Sequence, residues 1–456
     1  MNTLLEKLAQ FVTQVRFEEL PAKEIEWAKL ALTDFIAVSY PGANMPVAQN
    51  VRAFLDESPR NGKAILIGTS RRTDATSAAL FNGTASHSLD FDDVSWATIG
   101  HPTVCVAPVA LATAQEKGLG GRELLLSYIV GVEVMHQIAR WTMPFLSEKG
   151  WHTTPVYGTF GATAAACVVY GTDTEQTAHA LAIAASRSAG IRGNFGSQTK
   201  ALHAGTAAFL GLEATRLAMH GVTGNCACLE NQDGFAQCFA KPTLKDAVVD
   251  IGNYWDLAQN GLVFKQYPCC SGSHPANDVW DAYLKEHPIP YTAINSIGAG
   301  VSLLGPRELS CHRPVNAVQA KFSLEYALAS RVIFGPLSLD SFVDEKVLDP
   351  RVQELMSRVE MKIDPELARL GFIGTAPVRL DVMLADGSKV HLENNLAQGN
   401  PEKPLSEKAF FRKFSSCLKA AHCEEITENC WSTLLHLESA SPEAVASLGA
   451  CLTNKQ

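Results

Sequence analysis

The chain has 456 residues, with 38 Lys+Arg against 47 Asp+Glu, a formal charge of −9 near neutral pH. At roughly 150 residues per domain this length predicts two or three domains with ample chain for a large core. Hydrophobic residues make up 46 % and charged ones 19 %, the latter below the ~25 % usual for soluble domains, so wholesale disorder is excluded and a covered subunit surface is expected. The acidic balance without a basic tract argues against nucleic acid and anionic membranes as partners.

In chain order, the opening Met1–Lys7 carries an acid in its first turn and reads as an amphipathic helix rather than a secretory leader. Apolar spacing and Gly/Pro breaks predict helices over 2–15, 22–39, 74–87, 104–117, 121–141, 154–170, 174–187 and 198–219. Phe160–Cys167 and Ala204–Leu212 place Gly, Ala and Thr on several faces at once, the composition of central helices whose axes approach closely. After about residue 265 the character changes. Ala293–Leu304 and Val378–Leu384 favour strands, the stretch 383–392 reads as a hairpin turning at Asp386-Gly387, and Ser323–Phe334 is helical. Residues 404–420 and 441–451 return to helix. The expected architecture is mainly α: a large all-helical domain from residues 1–267 and 396–456, and a smaller α+β lid domain over 268–395. No stretch reaches the ~18 uninterrupted apolar residues of a membrane span. The twelve cysteines contain no C-x-x-C pair and read as reduced thiols of a cytoplasmic protein, most of them small core hydrophobes.

Polar residues set against this apolar background fall into four clusters. The first is His87-Ser-Leu-Asp-Phe-Asp-Asp93 with His101-Pro-Thr103, three carboxylates and two imidazoles that invite an acid/base or metal reading, or a capped solvated loop. The second is Gly150-Trp-His152, where His152 is either functional or a structural hydrogen-bonder. In the third, Lys200 and His203 share one face at the start of a small-residue helix. Burial and the helix dipole would disfavour the charged form of Lys200 and suit it as a base, against the plainer reading of a lysine reaching to water. The fourth is Lys265-Gln-Tyr-Pro-Cys-Cys-Ser-Gly-Ser-His274, a loop whose lysine, paired thiols Cys269 and Cys270 and His274 are functional suspects. Tyr326 alone would pass for core. Dinucleotide, P-loop and nucleophile-elbow motifs are missing from the letters, so no cofactor is expected. A prenyl-synthase reading of Asp90–Asp93 fails because Asp281 and Lys285 stand where its second metal motif needs Ser and Glu.

Taken in order, H-S-x-D-F-D-D, H-P-T, G-W-H, T-K-x-L-H-x-G, K-x-Y-P and F-S-x-x-Y resemble the MmgE/PrpD family over nearly the whole chain. That family holds 2-methylcitrate dehydratases, cis-aconitate decarboxylases and iminodisuccinate epimerases. The resemblance implies a homodimer, a small di- or tricarboxylate substrate, and cofactor-free and metal-free chemistry at a carbon beside a carboxylate. Its decarboxylase branch carries pocket roles to Asp90, His101, His152, Lys200, Lys265 and Tyr326; with the clusters above, the expected catalytic set is Asp90, His101, His152, Lys200 and Tyr326, and the expected substrate-binding set is Lys265, His203, Cys269, Cys270 and His274. Two positions depart from the decarboxylase pattern: Val94 replaces a threonine and Cys270 a histidine. These departures favour epimerisation of an iminodisuccinate-type substrate, with dehydration of 2-methylcitrate next and decarboxylation third. The reading from another class is a non-catalytic dimeric small-acid-binding protein.

Overall fold

The computed structural model describes residues 3–240, 244, 247–371 and 375–451. The protein is mainly α, with a smaller α+β region. It divides into two compact units, one comprising Met1–Gly193, Thr199–Leu262 and Glu407–Gln456, the other Asn194–Gln198 and Val263–Ser406. No helix among the described residues is long and apolar enough to cross a membrane.

The first unit is built on helices α1 (Leu4–Gln14), α2 (Ala22–Gly42), α3 (Pro46–Asp56), α4 (Ala75–His87), α5 (Thr103–Lys117) and α6 (Gly121–Thr142). A four-residue turn, α7 (Phe145–Glu148), then leads to α8 (Thr153–Tyr170), α9 (Thr174–Arg187) and α10 (Gln198–Met219). Local chemistry sets their ends. Thr3 and Glu6 close a capping box on α1, Asp173 and Gln176 one on α9, and Asp74 accepts from two amides opening α4. Gly118 and Gly171 end α5 and α8 in the left-handed conformation. The α3 helix, absent from the sequence reading, starts on a helix-compatible proline and hides only Val47, Ala48 and Val51, so its apolar signal is thin.

Small residues permit close approach where the sequence reading expects it. All of α4, and α8 from Thr153 to Cys167, is buried. Where α4 meets α10, a Cβ on Gly205 would lie 2.2 Å from the Leu80 carbonyl oxygen and 2.2 Å from Thr84 Oγ1. Nothing larger than glycine fits there.

The first unit also holds an antiparallel pair, β1 (Ala64–Ile65) and β2 (Arg72–Thr73), while in the second unit four strands order as β4-β3-β5-β6, with β3 Ile294–Val301, β4 Val359–Ile363, β5 Val378–Leu384 and β6 Lys389–Asn394. β3 pairs parallel with β4 and antiparallel with β5, and β5 turns through Asp386-Gly387 into β6. Val378, Leu380 and Val382 point inward from β5 and share a core with Trp280, Leu324, Tyr326 and Leu328. The helices His274–Glu286 and Leu324–Phe334 supply that cover, the latter capped by Ser323. β4 escapes sequence reading because its residues, Val-Glu-Met-Lys-Ile, bury only the first valine.

One expectation needs correction. Not all cysteines are reduced thiols, since Cys423 and Cys451 form a disulfide, their Cα atoms 5.9 Å apart across 28 positions of sequence. No local motif announces such a pair, because it arises from tertiary approach of two buried side chains. The other ten cysteines form no disulfide.

Candidate functional site

Three stretches of the first unit bring their titratable side chains into one buried cluster. The chain leaves α4 at His87, passes through Asp90 in the left-handed conformation (φ 53°), and reaches His101 just before α5. The connection is pinned: Ser95 and Gly100 exchange backbone hydrogen bonds of 2.8 and 3.3 Å. Ile99, a β-branched residue at φ 44°, is held by Thr153 Oγ1 donating to its carbonyl at 2.6 Å. Two non-glycine residues at positive φ within ten positions are strain of the kind that gathers at functional sites. The amide of His101 donates to Thr154 Oγ1 at 3.0 Å, tying this loop to the start of α8. His152 immediately precedes α8, its amide donating to the Gly190 carbonyl at 2.9 Å, and α10 brings Lys200 and His203.

Lys200 Nζ donates to Asp90 Oδ1 in an ion pair whose side chains are 7 % and 4 % exposed. Lys200 is thus buried against a carboxylate rather than reaching to water. Asp90, 110 positions away, supplies an anion for the ammonium that helix geometry alone does not reveal. His152 Nδ1 lies 3.0 Å from His203 Nδ1. The His87 ring stands 4.6 Å from that of His101 and 6.1 Å from that of His152, centroid to centroid. Burial first, and the Lys200 charge second, hold the His152 imidazolium well below its ordinary range. His87 is pushed down to about 3 by burial despite Asp92 beside it, and His203 is also lowered, again by burial and Lys200. The Lys200–Asp90 pair therefore sits among the imidazoles of His87, His152 and His203, which stay neutral at pH 7.

The three carboxylates of the acidic motif take separate partners. Asp90 pairs with Lys200. Asp92 Oδ2 lies 2.9 Å from His87 Nδ1 and 2.8 Å from His101 Nδ1. Burial alone would raise its carboxyl, but the two imidazoles outweigh it and hold Asp92 well below the usual range. Asp93 accepts from Thr103 Oγ1, which also contacts Tyr128 Oη at 2.7 Å. Burial and then its acidic neighbours raise Asp93 well above the ordinary carboxylate range. Beside it, Lys413 pairs with Asp34 at 2.6 Å and donates to the Phe91 carbonyl at 2.8 Å. Among the described residues, His87, Asp92 and His101 are the grouping whose ligand atoms, all within 4.8 Å of one another, could hold a metal ion.

The remaining candidates belong to the second unit. Lys265 is fully buried. Cys269 and Cys270 diverge, as adjacent side chains do: Cys269 Sγ lies 3.4 Å from Ser273 Oγ, while Cys270 Sγ lies 3.9 Å from Glu308 Oε2. His274 is buried with Nε2 3.2 Å from the Cys269 carbonyl and its ring edge-on to Tyr267. Tyr326 donates to the Ser341 carbonyl, and burial pushes its hydroxyl up to about 12. Val94, at the departure from the decarboxylase pattern, is buried in the first unit. His87 and Asp92 lie inside the cluster although the sequence set of site residues omits them. The motif contains both, but a string of letters does not separate Asp92 from Asp90.

Residues 6–246 match the MmgE/PrpD N-terminal domain and residues 267–433 the MmgE/PrpD C-terminal domain. The chain is 28 % identical over 482 residues to cis-aconitate decarboxylase of Homo sapiens, covering 100 % of this chain and 98 % of the relative. Its counterpart in Mus musculus is 28 % identical over 96 % of this chain and 91 % of the relative. Cis-aconitate decarboxylase of Aspergillus terreus (strain NIH 2624 / FGSC A1156) is 25 % identical over 88 % and 85 %.

Proposed function

The chain belongs to the MmgE/PrpD family, and from that premise we propose that it is a cofactor-independent enzyme moving a proton at the carbon next to a carboxylate of a small di- or tricarboxylic acid. The observation that carries this reading is the buried Lys200–Asp90 pair set among imidazoles held neutral. Removing a proton, or carbon dioxide, from such a carbon leaves an electron pair that spreads into the neighbouring carboxylate as an enolate-like charge. A fixed ammonium inside a dry cluster stabilises that charge far better than water would. A neutral imidazole is the form that accepts a proton, so His152, held neutral by burial, is a proposed base, and His101 is proposed as a second from its place in the same cluster. His203, 3.0 Å from His152, is the proposed partner that orients it. Lys265 and Tyr326 of the second unit are proposed as substrate-binding and catalytic groups, to be tested by Lys265→Met and Tyr326→Phe.

Proton abstraction by a neutral base suits epimerisation of an iminodisuccinate-type acid and elimination of water from 2-methylcitrate. Buried Val94 and the Cys270 thiol, where the decarboxylase pattern has Thr and His, favour epimerisation among these. The second reading is decarboxylation of a cis-aconitate-type acid, with the Lys200 ammonium returning the proton after carbon dioxide leaves. It is favoured by relatives of that activity that align over nearly the whole chain. Incubation with iminodisuccinate, 2-methylcitrate and cis-aconitate, with product identity followed by NMR, separates an inverted centre, an alkene and released carbon dioxide. Binding of these acids by calorimetry with no turnover of any would leave the non-catalytic acid binder instead. The proposed assembly is a homodimer, and a monomer in sedimentation would overturn it.

A further inference from the structure

We propose that Asp92 is a positioning residue for two imidazoles at once, holding His87 and His101 with their protons on Nδ1 and leaving both Nε2 nitrogens as acceptors. This inference rests on the reading that imidazoles of the first unit move the proton. The geometry is a fork on one atom. Asp92 Oδ2 lies 2.9 Å from His87 Nδ1 and 2.8 Å from His101 Nδ1. His101 Nδ1 is also 2.8 Å from the Asp93 carbonyl oxygen. A carbonyl has no proton to give, so the shared hydrogen belongs to Nδ1 and the lone pair of neutral His101 to Nε2.

The same logic fixes His87. Its Nδ1 faces the Asp92 carboxylate at 2.9 Å, while its Nε2 has no hydrogen-bond partner among the described residues and its side chain is 0 % exposed. His87 is thereby a second proton acceptor, its ring 4.6 Å from His101 and 6.1 Å from His152. One carboxylate orienting one imidazole is a familiar device for setting tautomer and stabilising the imidazolium once it forms. Here one oxygen does so for two rings inclined at 60°. Whichever ring takes the proton, Asp92 is the adjacent anion. Asp90 is engaged with Lys200 and Asp93 with Thr103, so neither duplicates this role.

Selective 15N labelling of histidine in the full chain reads the tautomers directly, with His87 and His101 assigned by the signals lost in His87→Gln and His101→Gln. The expected wild-type spectrum shows protonated Nδ1 and bare Nε2 on both rings. In Asp92→Asn, His101 keeps its proton on Nδ1 through the Asp93 carbonyl, while His87 loses the anionic acceptor facing its Nδ1 and shifts towards the Nε2-protonated tautomer. In the same variant kcat falls by about 10²-fold while KM stays within about threefold. A wild-type spectrum with the proton on Nε2 of either ring overturns the proposal, and so does unchanged kcat in Asp92→Asn. If that variant fails to fold, the wild-type spectrum alone decides. Correct tautomers in a protein that turns over none of the three acids would uphold the fork and overturn only the catalytic reading.

Discussion

Replacing Lys200 by methionine separates what the ion pair does for the fold from what it does for the reaction. Both partners are over nine-tenths buried, so the substitution strands the Asp90 carboxylate in a dry interior. Breaking a buried pair by removing one partner costs about 3–5 kcal/mol, more than most single substitutions. Deleting both charges behaves differently. Asn at position 90 keeps the backbone at φ 53°, since asparagine tolerates the left-handed region, and leaves no stranded anion. The double variant Asp90→Asn/Lys200→Met is therefore expected to regain more than half of the stability lost in Lys200→Met, because neutral replacements of buried pairs are often harmless. Activity should not follow. With no ammonium to meet the enolate-like charge, kcat is expected to stay at least about 10²-fold down in both variants. Urea unfolding midpoints and turnover of the accepted acid measure the two quantities side by side. Recovery of activity together with stability would show Lys200 to be purely structural. A Lys200→Met cost below about 1 kcal/mol would contradict the burial on which the reasoning rests.

Other consequences are independent of that pair. Gly205→Ala places a Cβ 2.2 Å from the Leu80 carbonyl, so α10 must retreat by about 1 Å from α4 to reach ordinary contact. Overpacking of this kind costs about 1–3 kcal/mol, and it carries Lys200 off Asp90, so both thermal stability and kcat should fall; wild-type values for either would refute the fit. Glu24, whose carboxyl burial raises to about 7 while the Ala258 amide donates to it at 2.8 Å, is protonated in the folded chain at pH values where it ionises unfolded. Its contribution is thus complete below pH 4.5 and lost as pH rises towards 7, so Glu24→Gln should gain about 3 kcal/mol on wild type across that window, and parallel unfolding curves would exclude this. Exhaustive chelation should leave turnover unchanged; loss of activity restored by a divalent cation would make His87, Asp92 and His101 metal ligands instead.

The helical half of the molecule was legible because its helices are long and punctuated. Predicted 174–187 and 198–219 coincide with α9 and α10, where Asp173 caps one start and apolar spacing runs through both. The strand Val378–Leu384 was equally open, since Val, Leu and Val alternate with Arg and Asp. Hidden were elements with little burial of their own, α3 and β4, and every relation that needs distant chain to meet. Lys200 was visible as an oddity on a small-residue helix. Its partner Asp90 was one of three similar acids, and only folding assigns Asp90 to Lys200, Asp92 to two imidazoles and Asp93 to Thr103. Tyr326 shows the reverse. The motif marks it, whereas its hydroxyl is engaged by the Ser341 carbonyl in the core of its own unit.

The claim on which everything else depends is that a proton moves at the carbon beside a carboxylate, and turnover in heavy water measures it most directly. Proton NMR of the product is expected to show one solvent deuteron at that carbon, and none above background when Lys200→Met replaces the wild-type protein. An epimerised or decarboxylated product free of deuterium at this carbon would contradict the account, whereas an alkene from 2-methylcitrate carries none because its proton leaves.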